Sequence, residues 1–217
     1  MARWWPFKKP TAATISISDP VLAEYLGVGQ ANFSGITVGE QSALGLSAFY
    51  RGVSLISGTI AGLPLPTLRD VNSVRTRVNS FLDTPGGQYG PTAFEWKETC
   101  VLHMLLHGDA FLAHVYNGAG ALIALNPIHP LAVSVEWDDK SVGGKKFTAN
   151  LLDGSRQEFD ALTMTQVPGP SLDGLRGMSV ITMARNGLGT AIAGDRAAAK
   201  MFNTGALMSG LVSAEED

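Results

Sequence analysis

Residues 91–116 read Pro-Thr-Ala-Phe-Glu-Trp-Lys-Glu-Thr-Cys-Val-Leu-His-Met-Leu-Leu-His-Gly-Asp-Ala-Phe-Leu-Ala-His-Val-Tyr. Thr92 is placed to accept the orphan amides at a helix start, the helix runs through His107, and Gly108 stands where the chain leaves it in a left-handed conformation. From Ala110 to Tyr116 the residues are those of a strand, with the side-chain period of two. A turn at Asn117-Gly118 leads to a strand over Ala121–Leu125, Pro127 and Pro130 break it, and Ala132–Trp137 forms the next. Phe147–Leu152, the Asp153-Gly154 turn, Arg156–Phe159 and Leu162–Val167 continue what reads as an antiparallel meander. Helices followed by a run of strands predict an α+β fold with antiparallel strands, not a parallel sheet.

Upstream, Thr37-Val38-Gly39-Glu40 has the form of a capping box. The helix it predicts carries Leu44, Ser47, Ala48, Leu55, Ile56 and Ile60 near one stripe, while Gly45, Gly52, Ser54, Gly58 and Gly62 leave room for another backbone. Leu63-Pro64-Leu65-Pro66 stops it and starts an extended segment. A short helix is expected over Val78–Leu82, before the Pro85-Gly86-Gly87 loop. Residues 1–36 read as an N-terminal arm, with Val21, Leu22, Tyr25 and Leu26 able to form a short helix after Asp19-Pro20. Its adjacent Trp4 and Trp5 suit docking on a neighbouring subunit, or alternatively a membrane surface or nucleic-acid bases. Downstream, the Pro168–Gly177 loop precedes a helix capped by Ser179 and running to about Phe202, where Gly205 marks its end. That helix is rich in Ala and Gly, with Arg185, Asp195, Arg196 and Lys200 as its charges, a composition suited to close packing against identical neighbours. Leu207–Val212 begins an extended segment before the acidic terminus.

The 217 residues suffice for one main domain. Hydrophobic residues make up 45% and charged residues 16% of the chain. That composition excludes disorder from want of burial and favours an oligomer whose surface is covered by partners. A net charge of -3 argues against a protein that grips nucleic acid along its whole surface. The single Cys100 excludes an intrachain disulfide and reads as a core residue. No apolar run reaches membrane-spanning length, so no membrane partner is expected.

His103 and His107 share a helix face, the geometry of a two-histidine metal pair, but Met104 stands where a HExxH enzyme needs its general base, and flanking leucines favour packed, hydrogen-bonded histidines. The glycine clusters lack the context of a phosphate loop, and no Gly-x-Ser-x-Gly elbow occurs. No catalytic residue, metal or cofactor is expected. The loop containing Leu172, Asp173, Leu175 and Arg176 reads either as a contact between subunits or as a plain connection into the helix.

Ala43-Leu44 with Phe49-Tyr50-Arg51 and Ile56–Leu65, Phe81-Leu82-Asp83-Thr84-Pro85 with Thr92–Trp96, Leu105–Phe111, Leu125–Pro130, Asp173–Ile181, and Phe202–Ala206 with Ser209-Gly210 follow one another along the chain. In this order they resemble the HK97-type family of phage portal proteins. Asp109 departs from the usual Asn, and Gly86-Gly87 from the usual Asn-Pro; the family also continues well past Asp217, so the chain resembles its N-terminal part. The resemblance implies a wing-like α+β body over 37–177, a stem-like helix over 178–204 and the start of a further segment over 205–217. It implies a dodecameric head-tail connector at one capsid vertex of the virion, assembled in the bacterial cytoplasm and passing double-stranded DNA without sequence preference. The terminase motor, major capsid protein and tail adaptor are its implied partners. Arg185, Arg196 and Lys200 are then candidates to face DNA or an adjacent subunit, and the loop residues Leu172, Asp173, Leu175 and Arg176 candidates for inter-subunit contact. A metal-dependent phage hydrolase built on His103 and His107, and a peripheral membrane adaptor using Trp4 and Trp5, are the alternatives.

Overall fold

A computed structural model describes residues 34–88, 90–150 and 154–204. The expectations for Trp4 and Trp5, the helix after Pro20, Asp153, Gly205 and the segment to Asp217 lie outside those residues. The described chain is α+β, as expected. Helices α1 (Glu40–Leu44) and α2 (Ser47–Gly62) precede the hairpin β1 (Leu68–Val71) and β2 (Val74–Arg77), and helix α3 (Ala93–His107) follows. Six strands come next: β3 (Asp109–Tyr116), β4 (Leu122–Ile128), β5 (Val133–Trp137), β6 (Lys145–Asn150), β7 (Arg156–Phe159) and β8 (Met164–Pro168). The described chain closes with α4 (Val180–Met183) and α5 (Arg185–Asn203).

The strands do not form one meander. They make two three-stranded sheets, β4-β3-β8 and β5-β6-β7, and every pairing is antiparallel. Strand β8 returns to pair with β3, Phe111 opposite Gln166. The period of two in β3 explains the layering, because alternate residues serve opposite faces. Ala110 and Leu112 face α3 with Trp96, Cys100 and Leu125, whereas Phe111 joins Val133, Val135, Phe147, Ala149 and Met164 of the second buried layer. The buried Trp96 indole donates to the Leu125 carbonyl at 2.6 Å and fixes α3 against β4. A third cluster, Val38, Ala43, Val53, Leu106, Ile181, Leu188 and Ile192, gathers the helices.

Several local expectations are corrected. The cap of α1 is not the Thr37–Glu40 pair: Gly39 occupies the N-cap and its amide donates to Ser42 Oγ at 2.8 Å. Val38 and Ala43, in the positions of a hydrophobic staple, are both buried. The first helix is interrupted at Gly45-Leu46, and the face of α2 that packs inward is Val53, Ser57 and Ala61, not the stripe of larger residues. Pro127 does not break β4, because β4 is an edge strand where proline's missing N–H is tolerated. The last helix is broken at Ala184, so Ser179 caps only α4, accepting from the Thr182 amide at 3.3 Å. The short helix expected at Val78–Leu82 is a 3₁₀ turn at Phe81–Asp83 capped by Ser80.

Candidate functional site

The junction between α3, β3 and the 168–179 loop sets the direction of the last helices. Gly108 ends α3 at φ 89°, and its carbonyl accepts from the Gly169 amide at 2.7 Å. A Cβ on Gly108 would fall onto the Gly177 carbonyl, so two backbones cross here at a separation only glycine permits. Asp109, fully buried, accepts at Oδ1 from Gln166 Nε2 (2.9 Å) and the Gly177 amide (3.0 Å), and its Oδ2 lies 2.9 Å from Arg176 Nε. Arg176 also donates to the Val133 carbonyl at 2.8 Å and lies over the Phe111 ring. Ser179 Oγ donates to the Leu106 carbonyl.

Among the four loop candidates, Arg176 thus bonds within the protomer. Asp173 accepts from the Leu175 and Arg176 amides and from Ser171 Oγ. Burial alone would raise its carboxyl pKa, but these bonds together outweigh burial and hold it below the usual range. Leu175 packs on the inter-sheet core, whereas Leu172, 59% exposed, and Asp173 stand at the surface.

The 19-residue α5 is roughly 28 Å long, at about 1.5 Å of rise per residue. Its first half packs through Leu188, Gly189 and Ile192; from Gly194 to Thr204 every residue is exposed, including Met201 and Phe202. The helix therefore projects beyond the body. Arg185, Gly189, Ile192, Arg196 and Lys200 follow the three- and four-residue spacing of a single stripe. Arg185 is half-buried at the base, whereas Arg196 and Lys200 stand on the projecting half. On α2, Tyr50, Leu55, Ile56 and Ile60 are exposed, continued by Leu63 and Leu65. No described residue beyond α2 itself comes within 4 Å of where a Cβ at Gly52, Gly58 or Gly62 would lie, so among the described residues no backbone makes the expected close approach at these glycines.

His103 and His107 do share a face of α3, with ring centroids 6.4 Å apart. The structure adds His129, whose ring is 5.4 Å from His103 and 4.8 Å from His107, and Glu40, whose Oε2 lies 3.4 Å from His107 Nε2. No periodicity in the sequence links His129 or Glu40 to α3. The expected hydrogen bonding is not met at two atoms: His103 Nδ1 and His107 Nε2 are buried without a hydrogen-bond partner. Burial pushes the His103 pKa down to about 4, with His129 and His107 adding to the effect, and lowers that of His107 against the raising influence of Glu40. Both imidazoles are therefore neutral at pH 7. One ligating atom each from Glu40, His107 and His129 lies within 4.8 Å of the others.

This α+β arrangement is shared with a solved phage portal protein and with a chain of a gene transfer agent neck. An HK97 family phage portal protein from Corynebacterium diphtheriae matches with a TM-score of 0.55 and 20% identity, over 73% of this chain and 47% of that one. The neck of an empty gene transfer agent particle, computed with C6 symmetry, matches with a TM-score of 0.62 and 19% identity, over 84% of this chain and 50% of that one. The fold is thus that of the portal proteins. In sequence, the probable portal protein of Streptomyces phage phiC31 is 31% identical over 89% of this chain and 44% of its own length. The portal protein of Enterobacteria phage HK97 is 29% identical over 83% of this chain and 43% of its own length. The family model for the phage portal protein matches residues 47–217, and the chain belongs to that family. It spans less than half the length of these curated relatives.

Proposed function

We propose that this chain supplies the wing and the first part of the stem of a portal ring, the head-tail connector through which double-stranded DNA enters and leaves a phage capsid. The observation that carries the reading is α5, which leaves the body as a helix whose second half is exposed on all sides. A helix half that no other described residue covers is suited to standing beside copies of itself. The related neck particle computed with C12 symmetry supports a ring of twelve, closed by head-to-tail contacts.

In this reading residues 1–36 are an arm that reaches a neighbour, 37–177 the wing, 178–204 the stem helix and 205–217 the beginning of the next segment. Arg196 and Lys200 face the channel or an adjacent stem, Arg185 steadies the base of the helix, and Leu172 is the loop residue that meets a neighbour. Two exposed cations per stem are few, and a sparse ring of charge holds phosphates loosely enough for DNA of any sequence to slide. The work is mechanical, without bond chemistry. Terminase, capsid and tail adaptor contact the assembled ring in turn, and assembly takes place in the host cytoplasm before the ring joins the virion. Among the described residues no helix is long and apolar enough to cross a membrane.

Electron microscopy of the protein expressed from its whole reading frame tests the proposal. Rings with a central opening are expected; particles that stay monomeric across concentration and salt would refute it. A packaging assay with Arg196→Glu and Lys200→Glu tests the stem assignment, since charge reversal on a channel face impairs DNA passage and on a distant face does not.

A further inference from the structure

Three chain segments with no sequence relation bring Glu40, His107 and His129 together at the foot of α1, the last turn of α3 and the exit of β4. We propose that these residues form a binding site for a divalent cation of the zinc class, which ties α1 to α3 and to the turn after β4. The proposal is independent of the ring reading.

Glu40 Oε2 and His107 Nε2 are 3.4 Å apart. That is long for a charge-assisted hydrogen bond, which closes to about 2.7–2.9 Å. It is the spacing of two ligands on one tetrahedral ion: with metal–ligand distances of about 2.0–2.1 Å, the edge of the tetrahedron is about 3.3–3.4 Å. His107 Nε2 is buried and lacks a hydrogen-bond partner, although a buried imidazole nitrogen ordinarily has one. A cation would occupy the lone pair it leaves unused. His103 Nδ1, equally buried and unpartnered, lies beside the same group. A cavity of about 370 Å³ lined by Glu40, Glu98, His103 and His129 opens on the group. It gives an entry path and solvent for a fourth position.

Two features oppose binding and are outweighed. The Leu131 amide donates to His129 Nδ1 at 3.3 Å, and ligation through Nε2 would place a proton on Nδ1 and end that bond; the bond is long and lies at an exposed turn. Arg176 adds positive potential at His107, but its guanidinium is neutralised by Asp109 at 2.9 Å. Two imidazoles and one carboxylate make a donor set that suits zinc and its neighbours among the transition metals better than calcium or magnesium. Joining segments so far apart in the chain makes the ion a structural staple: bound only by the folded state, it adds its binding free energy to stability.

The test uses the full chain, stripped with EDTA and titrated with zinc chloride by calorimetry, and with cobalt chloride by visible absorption. One zinc per chain is expected, with a rise in the thermal midpoint and an intense tetrahedral cobalt band. Glu40→Gln and His129→Ala, both at positions that reach solvent, should each weaken zinc binding by about tenfold or more. His114→Ala, at the histidine held by Thr165 and Leu162 on the sheet, should leave it unchanged. No saturable zinc binding, no cobalt band, or affinity retained by both Glu40→Gln and His129→Ala would overturn the proposal.

Discussion

Replacing Arg176 by alanine strands the carboxylate of Asp109 in the core. Asp109 has no exposed surface, and the guanidinium beside it supplies the opposite charge, one hydrogen bond to the Val133 carbonyl and a contact with the Phe111 ring. Removing one partner of a buried pair typically costs about 3–5 kcal/mol, because the other charge remains desolvated. Two effects pull the value to the low end. Gln166 and the Gly177 amide still donate to Asp109 Oδ1, and the Arg176 side chain is 33% exposed, so water can enter the space it leaves. We therefore expect a loss of about 3 kcal/mol, a fall in midpoint of roughly 6–12 °C for a domain of this size. Asp109→Asn keeps an acceptor for both Oδ1 bonds but turns an amide N–H toward Arg176 Nε in place of Oδ2; with the guanidinium able to reach water, it should cost about 2 kcal/mol. The double variant Asp109→Asn with Arg176→Ala should be more stable than the sum of the two losses gives, by about 2 kcal/mol of coupling. Urea unfolding followed by circular dichroism measures all three. An Arg176→Ala loss below about 1 kcal/mol, or strictly additive effects, would refute the view that this pair holds the 168–179 loop in place.

Four other outcomes follow from single sites, and one from the outer face of α2. Thr92→Ala removes the α3 cap and should cost about 1 kcal/mol in urea unfolding. The backbone hydrogen bond from Thr92 holds the Glu95 carboxyl below its usual 4.5, so the ionised cap contributes above that pH and is lost as pH falls through the lower folded value; Glu95→Gln should flatten the acid limb of the stability profile. Gly108→Ala drives a methyl into the Gly177 carbonyl at φ 89°. It should destabilise by more than about 2 kcal/mol, visible as a lowered midpoint or insoluble expression. Cys100, its pKa pushed up to about 12 by burial, should resist a thiol reagent in the native state and react on unfolding. Leu55 lies on the exposed face of α2. Leu55→Ser should therefore leave protomer stability within about 0.5 kcal/mol yet raise the concentration needed for ring formation, measured by mass photometry.

What the sequence disclosed and what it concealed divide by range of interaction. The α3–β3 unit was legible because its start, stop and change of period are local: Thr92 and Glu95 are three residues apart, and Gly108 ends the helix by its own φ. The β1–β2 hairpin was missed although Asn72-Ser73 flanked by short alternating runs was a usable signal; both residues take positive φ, which Asn tolerates well. Pro127 was read as a stop because a proline's effect depends on whether its strand is central or at an edge, a property of the sheet and not of the residue. Asp109 and Arg176 were both singled out, the first as a departure from the family pattern and the second as a loop candidate, but they stand far apart in the chain and only the fold shows that they pair. The same holds for His129 and Glu40, which join the histidines of α3 through tertiary structure alone.

The misread face of α2 has a physical cause. A stripe of larger apolar residues is expected to point at the core, yet the protomer buries Val53, Ser57 and Ala61 and leaves Tyr50, Leu55, Ile56 and Ile60 outside. Small residues inward let α2 lie close on α3; large ones outward leave about 1 kcal/mol of hydrophobic free energy each unrealised while they remain half exposed. With Leu63 and Leu65 this amounts to about 6 kcal/mol, comparable to the lower range of the roughly 4–15 kcal/mol that association costs in lost freedom. One such face barely sustains a pair of subunits. In a closed ring each subunit is held on two sides, and the last subunit added makes two contacts while losing its freedom once. If the proposed ring closes through this face, a contact too weak for stable dimers and sufficient for closed rings would let subunits assemble at one vertex without aggregating on the way. On the proposed ring reading, the hydrophobic pattern of α2 reports the assembly as well as the protomer, and reading it as protomer core alone places the helix the wrong way round.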